Sequence, residues 1–152
     1  MTGGHLVESD EEIAAIAGSI RTAAVVGMKG EEDAAAAAFR IPSELRSRGI
    51  RVIPVNPRLR GAPGERIHAA IAEVAEPFDA VLIFRRPDAL GGLADEILAL
   101  PPARRPRVVW LQSGIRNDAA AARLAAAGML VVQDRCLAVE LTRLRGRGEG
   151  NA

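Results

Sequence analysis

Four short stretches combine glycine, amide, hydroxyl and basic groups in a way that suits an anionic ligand. They are Gly27-Met28-Lys29-Gly30, Asn56-Pro57-Arg58, Arg85-Arg86-Pro87-Asp88 and Ser113-Gly114-Ile115-Arg116. Asp88 is the only carboxylate among them. Glycine lets the backbone approach a phosphate, and N–H groups at a helix start present partial positive charge to it. Glycines and Asn-Pro are also ordinary turn residues, so one such loop on its own says little. Four of them on one edge of a fold would point to a shared binding crevice. Lys29 is the only lysine among 20 basic residues; its place in the first of these loops suits a phosphate contact, and plain solvent exposure is the competing reading.

Several chemistries are disfavoured. A dinucleotide site would show G-x-G-x-x-G after the first strand and an acid ending the second. Here those positions read G-M-K-G-E-E-D and Asn56-Pro57, so NAD is disfavoured on both counts. The P-loop pattern G-x-x-x-x-G-K-[ST] is absent as well. His5 lies near the start and His68 after the second strand, with no Ser–His–Asp or metal-ligand grouping, which gives catalysis little support. The single Cys136 excludes an internal disulfide framework and fits a reducing compartment. A net charge of +1 and an aromatic content of 3 % with no Tyr argue against nucleic-acid and membrane partners. No apolar run reaches the roughly 18 residues that span a bilayer, and the acidic start is neither a secretory signal nor a transit peptide. A cytoplasmic protein is expected.

The elements that must position these loops follow from the apolar runs. Thr22–Gly27, Arg51–Asn56, Asp79–Phe84, Arg107–Gln112 and Met129–Asp134 are short, continuous and rich in β-branched residues. Continuity rather than alternation predicts strands buried on both faces, as in a parallel sheet. Helices are expected at Glu11–Ile20, from about Pro42 to Arg48, at Ile67–Ala75, at Asp88–Leu100 with Asp88 as N-cap, and at Asn117–Ala127 with Asn117 as N-cap and Gly128 ending it. A last helix over Leu137–Leu144 would pack on the sheet edge. The alternation predicts a single α/β domain, a Rossmann-like doubly wound parallel sheet of five strands. It would occupy residues 11–144 between flexible tails at 1–10 and 145–152. The polar loops then share the carboxyl edge, where such sheets bind ligands.

The segments T-A-A-V-V-G (Thr22–Gly27), R-V-I-P-V-N-P (Arg51–Pro57), D-A-V-L-I-F-R-R (Asp79–Arg86), W-L-Q-S-G-I-R-N (Trp110–Asn117) and V-V-Q-D-R-C-L (Val131–Leu137) together resemble the stand-alone CoA-binding proteins of the YccU type. These look like the CoA-binding domain of the succinyl-CoA ligase alpha subunit without its catalytic partner. The resemblance implies non-catalytic binding of coenzyme A or an acyl-CoA through its ADP moiety. It places Gly27, Met28 and Lys29 at the pyrophosphate, with Phe39 and Arg40 arriving from the next helix. Val55, Asn56 and Pro57 would flank adenine and ribose. Phe84, Arg85 and Arg86 would lie near the phosphates or the pantetheine entrance, one arginine inward and the other toward solvent or Asp88. Gln112, Ser113 and Gly114 would form the floor under the pantetheine arm. Arg116 and Asn117 suit helix capping, Trp110 suits the core, and Cys136 is either an inert small hydrophobe or a thiol within reach of the CoA thiol. The first loop departs from the family's Ser-Pro or Lys-Pro pattern: Glu31, Glu32 and Asp33 would weaken a pyrophosphate contact unless they point outward. A small acyl-CoA- or NAD(P)-dependent enzyme, an interaction module with a vestigial nucleotide site, and a homo-oligomer are the alternatives.

Overall fold

The computed structural model describes residues 3–30, 35–59 and 66–150, the last four through their backbone alone. Its strands are β1 (His5–Leu6), β2 (Thr22–Val26), β3 (Arg51–Val55), β4 (Ala80–Ile83), β5 (Val108–Leu111) and β6 (Leu130–Val132). The helices are α1 (Asp10–Ser19), α2 (Ala37–Ser47), α3 (Leu90–Leu98), α4 (Asp118–Ala126) and α5 (Leu137–Gly150). All strands are parallel, in the order β1-β6-β5-β4-β2-β3. Side chains of β2 alternate between two cores, as a period of two requires. Ala24 and Val26 join Ile53, Val81, Leu93, Ile97 and Leu124 beneath α3 and α4. Ala23 and Val25 join Ile13, Ile16, Leu45, Leu82 and Trp110 beneath α1, α2 and α5. With helices on both faces, every central strand is buried twice over, and its sequence accordingly reads as an unbroken apolar run.

The fold class is the expected Rossmann-like α/β domain, but the sheet has six strands rather than five. The additional strand is β1, which comes from the segment expected to be a tail. His5 and Leu6 pair with Leu130 and Val131, and the Val7 N–H donates to the Val131 carbonyl at 2.8 Å. Gly4 makes this docking possible. A β-carbon there would lie 2.3 Å from the Met129 nitrogen and 2.4 Å from its carbonyl oxygen. Two residues make no readable apolar run, so the strand leaves no trace in the pattern.

Four further expectations are corrected. Helix α2 starts at Ala37, and Pro42 sits inside it rather than at its head. Between β3 and β4 the described residues form a single 3₁₀ turn, at Ile71–Glu73, rather than a helix over Ile67–Ala75. This is because Ala70 is extended and His68 bridges to Val55, taking that stretch out of helical geometry. Asp88 does not cap α3, since it falls within a 3₁₀ turn, Pro87–Ala89, and makes no capping hydrogen bond. The last helix continues past Leu144 to Gly150, through most of the expected C-terminal tail. Asn117 does cap α4, accepting from the Ala120 N–H at 3.0 Å, and Gly128 follows that helix with a φ of +102°. No described helix is long and apolar enough to cross a membrane.

Candidate functional site

The chain leaves β2 in one direction to form β3, then crosses back over β2 to form β4, so β2 and β4 flank the point where the strand order reverses. A crevice opens at such a point because the crossovers diverge to opposite faces. Gly27 ends β2 here with a φ of +86°, a conformation that side chains with a β-carbon rarely adopt. Its N–H donates to the Val55 carbonyl at 3.0 Å, and the Phe84 N–H donates to the Val26 carbonyl at 2.8 Å. A β-carbon on Gly27 would lie 2.4 Å from the Phe84 carbonyl oxygen. Three strand ends therefore meet in a narrow glycine ridge.

The loop after Gly27 is tied down by its backbone. The Lys29 N–H donates to the Ala38 carbonyl at 3.0 Å. The Met28 side chain is buried in the core, so only its backbone is available to a ligand, and its carbonyl accepts from Asn56 Nδ2 at 2.8 Å. Asn56 Oδ1 accepts from the Arg58 N–H at 2.9 Å. One side chain thus fastens the loop after β3 to the loop after β2. Lys29 and Arg40 are exposed and Phe39 is half-buried. Glu31, Glu32 and Asp33 lie outside the described residues.

A cavity opens on each side of the ridge. On the α3 face, about 430 Å³ is bounded by Val26, Val55, Pro57 and Ile71, with Arg85, Asp88 and Glu96 as its charged groups. On the opposite face, a more apolar groove of about 540 Å³ lies between α2 and α5, over Phe84, Gln112, Ser113 and Cys136. Phe84 and Arg85 are consecutive, and each serves a different cavity. Arg86 lines neither. It is 87 % exposed, with its Nε 3.6 Å from Asp88 Oδ1. Of the two arginines, Arg85 is therefore the inward one.

Gln112 is buried, and its Oε1 accepts the N–H of Leu137, the first residue of α5, at 2.9 Å. It anchors that helix on β5, and the groove floor depends on it. Gly114 lies at a φ of +84° and donates its N–H to Asp134 Oδ1 at 2.6 Å. Asp134 itself adopts a φ of +57°, which aspartate tolerates better than most residues. Trp110, wholly buried, donates from Nε1 to the Arg135 carbonyl at 2.7 Å, joining the end of β5 to the start of α5. Arg135 bridges Asp10 Oδ1 at 2.9 Å and the buried Glu140 at 3.5 Å, and the Asp10 hydrogen bond holds its guanidinium pKa above the usual arginine range.

The structure thus brings Val55, Pro57 and Arg85 together in one cavity, and Arg40, Phe84, Gln112 and Ser113 in the other. Gly27, Met28 and Asn56 form the wall between the loops, while Lys29, Phe39, Arg86 and Gly114 line neither cavity. Sequence reasoning missed Glu96 and Gly92 on α3, and Ile41, Glu44, Val139 and Thr142 in the groove. Gly91-Gly92 at a helix start just past a polar loop was a usable signal, since a β-carbon at Gly92 would meet open space. The groove residues belong to two helices far apart in sequence and carry no motif.

A family model described as a CoA binding domain matches residues 21–142. An uncharacterized protein of Bacillus subtilis, YneT, is 31 % identical over 131 residues, covering 86 % of this chain and 93 % of that protein. Among solved structures, one titled as cell-free ID.343 from Thermus thermophilus is 41 % identical with a TM-score of 0.78, covering 90 % of this chain and 99 % of its own. A hypothetical protein from Pyrococcus horikoshii shares the fold, with a TM-score of 0.80 at 24 % identity, over 96 % of this chain and all of its own.

Proposed function

The chain belongs to the CoA-binding domain family, and on that footing we propose that it binds coenzyme A across the glycine ridge, without chemistry of its own. The observation that carries this reading is the division of the crevice by Phe84 and Arg85. CoA is an ADP group joined through a pyrophosphate to a less polar pantetheine arm. Two unlike cavities on either side of one ridge match those two halves. In this reading the adenosine occupies the α3-side cavity against Val55, Asn56 and Pro57, with Arg85 toward a phosphate. Asp88 or Glu96 suits the one free ribose hydroxyl, the 2′-OH, while the 3′-phosphate is directed away from both carboxylates. The pyrophosphate crosses the backbone of Gly27, Met28 and Lys29 near the start of α2, where Phe39 and Arg40 emerge and where amide groups favour negative charge. Arg86 adds only to the local field. The pantetheine arm passes Phe84 into the groove over Gln112 and Ser113, and Gly114, outside the lining, holds their loop through Asp134.

Isothermal titration with CoA, 3′-dephospho-CoA and NAD tests the proposal. CoA binding that weakens without the 3′-phosphate, together with no heat from NAD, is the expected result. Absence of heat from CoA at tens of micromolar overturns it.

A further inference from the structure

The groove between α2 and α5 is more apolar than a pantetheine arm requires. Pantetheine carries two amides and a hydroxyl, whereas the walls present Ile41, Ile115, Ala138 and Val139 above the Phe84 ring. Val139 is 45 % exposed, the one large hydrophobic side chain so exposed among the described residues. The wall residues Ala37, Ile41 and Glu44 descend α2 away from the carboxyl edge, and seven residues of helix rise about 10 Å. Thr142 and Arg143 descend α5 opposite them. The far end is spanned by a side-chain bridge. Arg48 Nη2 donates to Glu44 Oε2 at 2.8 Å and to Thr142 Oγ1 at 2.6 Å, strapping one helix to the other across the groove.

Resting on the CoA reading above, we propose that this groove is an acyl subsite, and that the ligand is an acyl-CoA with a neutral, short to medium acyl chain rather than free CoA. The thioester end of the arm enters over Phe84, and the chain continues down between Ile41 and Val139. The Glu44–Arg48–Thr142 strap sets its maximum length. Among the described residues that line or span that end, the cations are already engaged, Arg48 with Glu44 and Arg143 with Glu140, so a terminal carboxylate on the acyl group is not favoured there.

Titration calorimetry of the full chain with CoA, hexanoyl-CoA, succinyl-CoA and dodecanoyl-CoA decides the matter. Full burial of a methylene corresponds to about fourfold in affinity, so hexanoyl-CoA is expected to bind at least about tenfold more tightly than CoA, with the groove left partly open. Succinyl-CoA and dodecanoyl-CoA fall short of that gain. Val139→Asp removes the advantage of hexanoyl-CoA, which then binds within about twofold of CoA measured on the same variant. Arg48→Ala, which opens the far end, restores the gain for dodecanoyl-CoA. If CoA binds and a hexanoyl chain adds less than about twofold, the acyl subsite is overturned while the CoA reading stands. If none of the four compounds binds, both fall. Sedimentation of the unliganded protein as a dimer that Val139→Asp dissociates would assign the groove to a second copy instead and overturn the proposal.

Discussion

The N–H of Lys29 donates to the carbonyl of Ala38 at 3.0 Å, and that carbonyl is the one left without its helical partner by Pro42. In an uninterrupted helix the residue four positions later would donate to it. Pro42 has no N–H to give. The proline therefore does not end α2. It frees one carbonyl in the first turns of the helix, and the loop after β2 uses that carbonyl as its anchor.

Replacing Pro42 with alanine returns a competing donor to Ala38. Global stability is expected to change by less than about 1 kcal/mol, since helix propensity gained is offset by flexibility gained in the unfolded chain. The Lys29 amide is expected to exchange with solvent about fivefold faster as its anchor weakens, and CoA binding to weaken with it. Hydrogen exchange followed by NMR, alongside denaturant unfolding, measures both. Unchanged Lys29 exchange would detach the loop from the proline.

Gly27→Ala is expected to cost at least about 2 kcal/mol, combining an unfavourable positive φ with a backbone contact that no side-chain motion relieves. The added methyl would sit against the Phe84 carbonyl, 2.4 Å away before relaxation. Urea denaturation measures the loss. Gly49 makes a control with the same sign of φ, at +87°, and open space around it, so Gly49→Ala is expected to cost less.

The two neighbouring arginines should behave differently. Arg85→Ala is expected to reduce CoA affinity about tenfold, the scale of a lost charge-assisted contact to phosphate. Arg86→Ala is expected to leave affinity within about twofold, because its exposed guanidinium points to Asp88. Calorimetry on both variants, compared with 3′-dephospho-CoA, shows which phosphate Arg85 reads. Equal effects would mean that Arg85 acts only through overall charge.

Arg51 donates through Nε and Nη2 to the Glu76 carboxylate at 2.6 and 2.7 Å. The hydrogen bond to Arg51, helped by its charge and that of His68, holds the Glu76 carboxyl below its ordinary value of 4.5. A folded-state pKa below the unfolded one means a contribution fully present above pH 4.5 and lost as the pH falls further, through the lowered folded-state value. The pair is substantially exposed, so the contribution is a few tenths of a kcal/mol. Unfolding of Glu76→Gln between pH 7 and pH 3 is expected to converge on the wild type at the acid end. A gap of constant size across that range would assign the effect to packing.

The five long strands were legible because each is buried on both faces and so is written in continuous β-branched residues. The boundary of α2 was not, because a proline is read as a break in a sequence and only the tertiary partner of Ala38 shows why it is tolerated. The polar loops after β2, β3, β4 and β5 were visible as chemistry. What could not be read was their division into two cavities, which depends on the alternation of Phe84 and Arg85 at one strand end. Nor could the walls of the groove be read, since Ile41 and Val139 meet only when α5 folds back beside α2.

That alternation ties the specificity of the crevice to a count of residues. One residue inserted between Ile83 and Phe84 would shift Phe84 and Arg85 together by half a period. The benzyl group would then face the nucleotide side and the guanidinium the groove. A neutral residue inserted there preserves the net charge and the other residues that line both cavities, yet it exchanges which half of a ligand each one receives. The length of this loop is thus as much a determinant of what the protein accepts as any side chain within it.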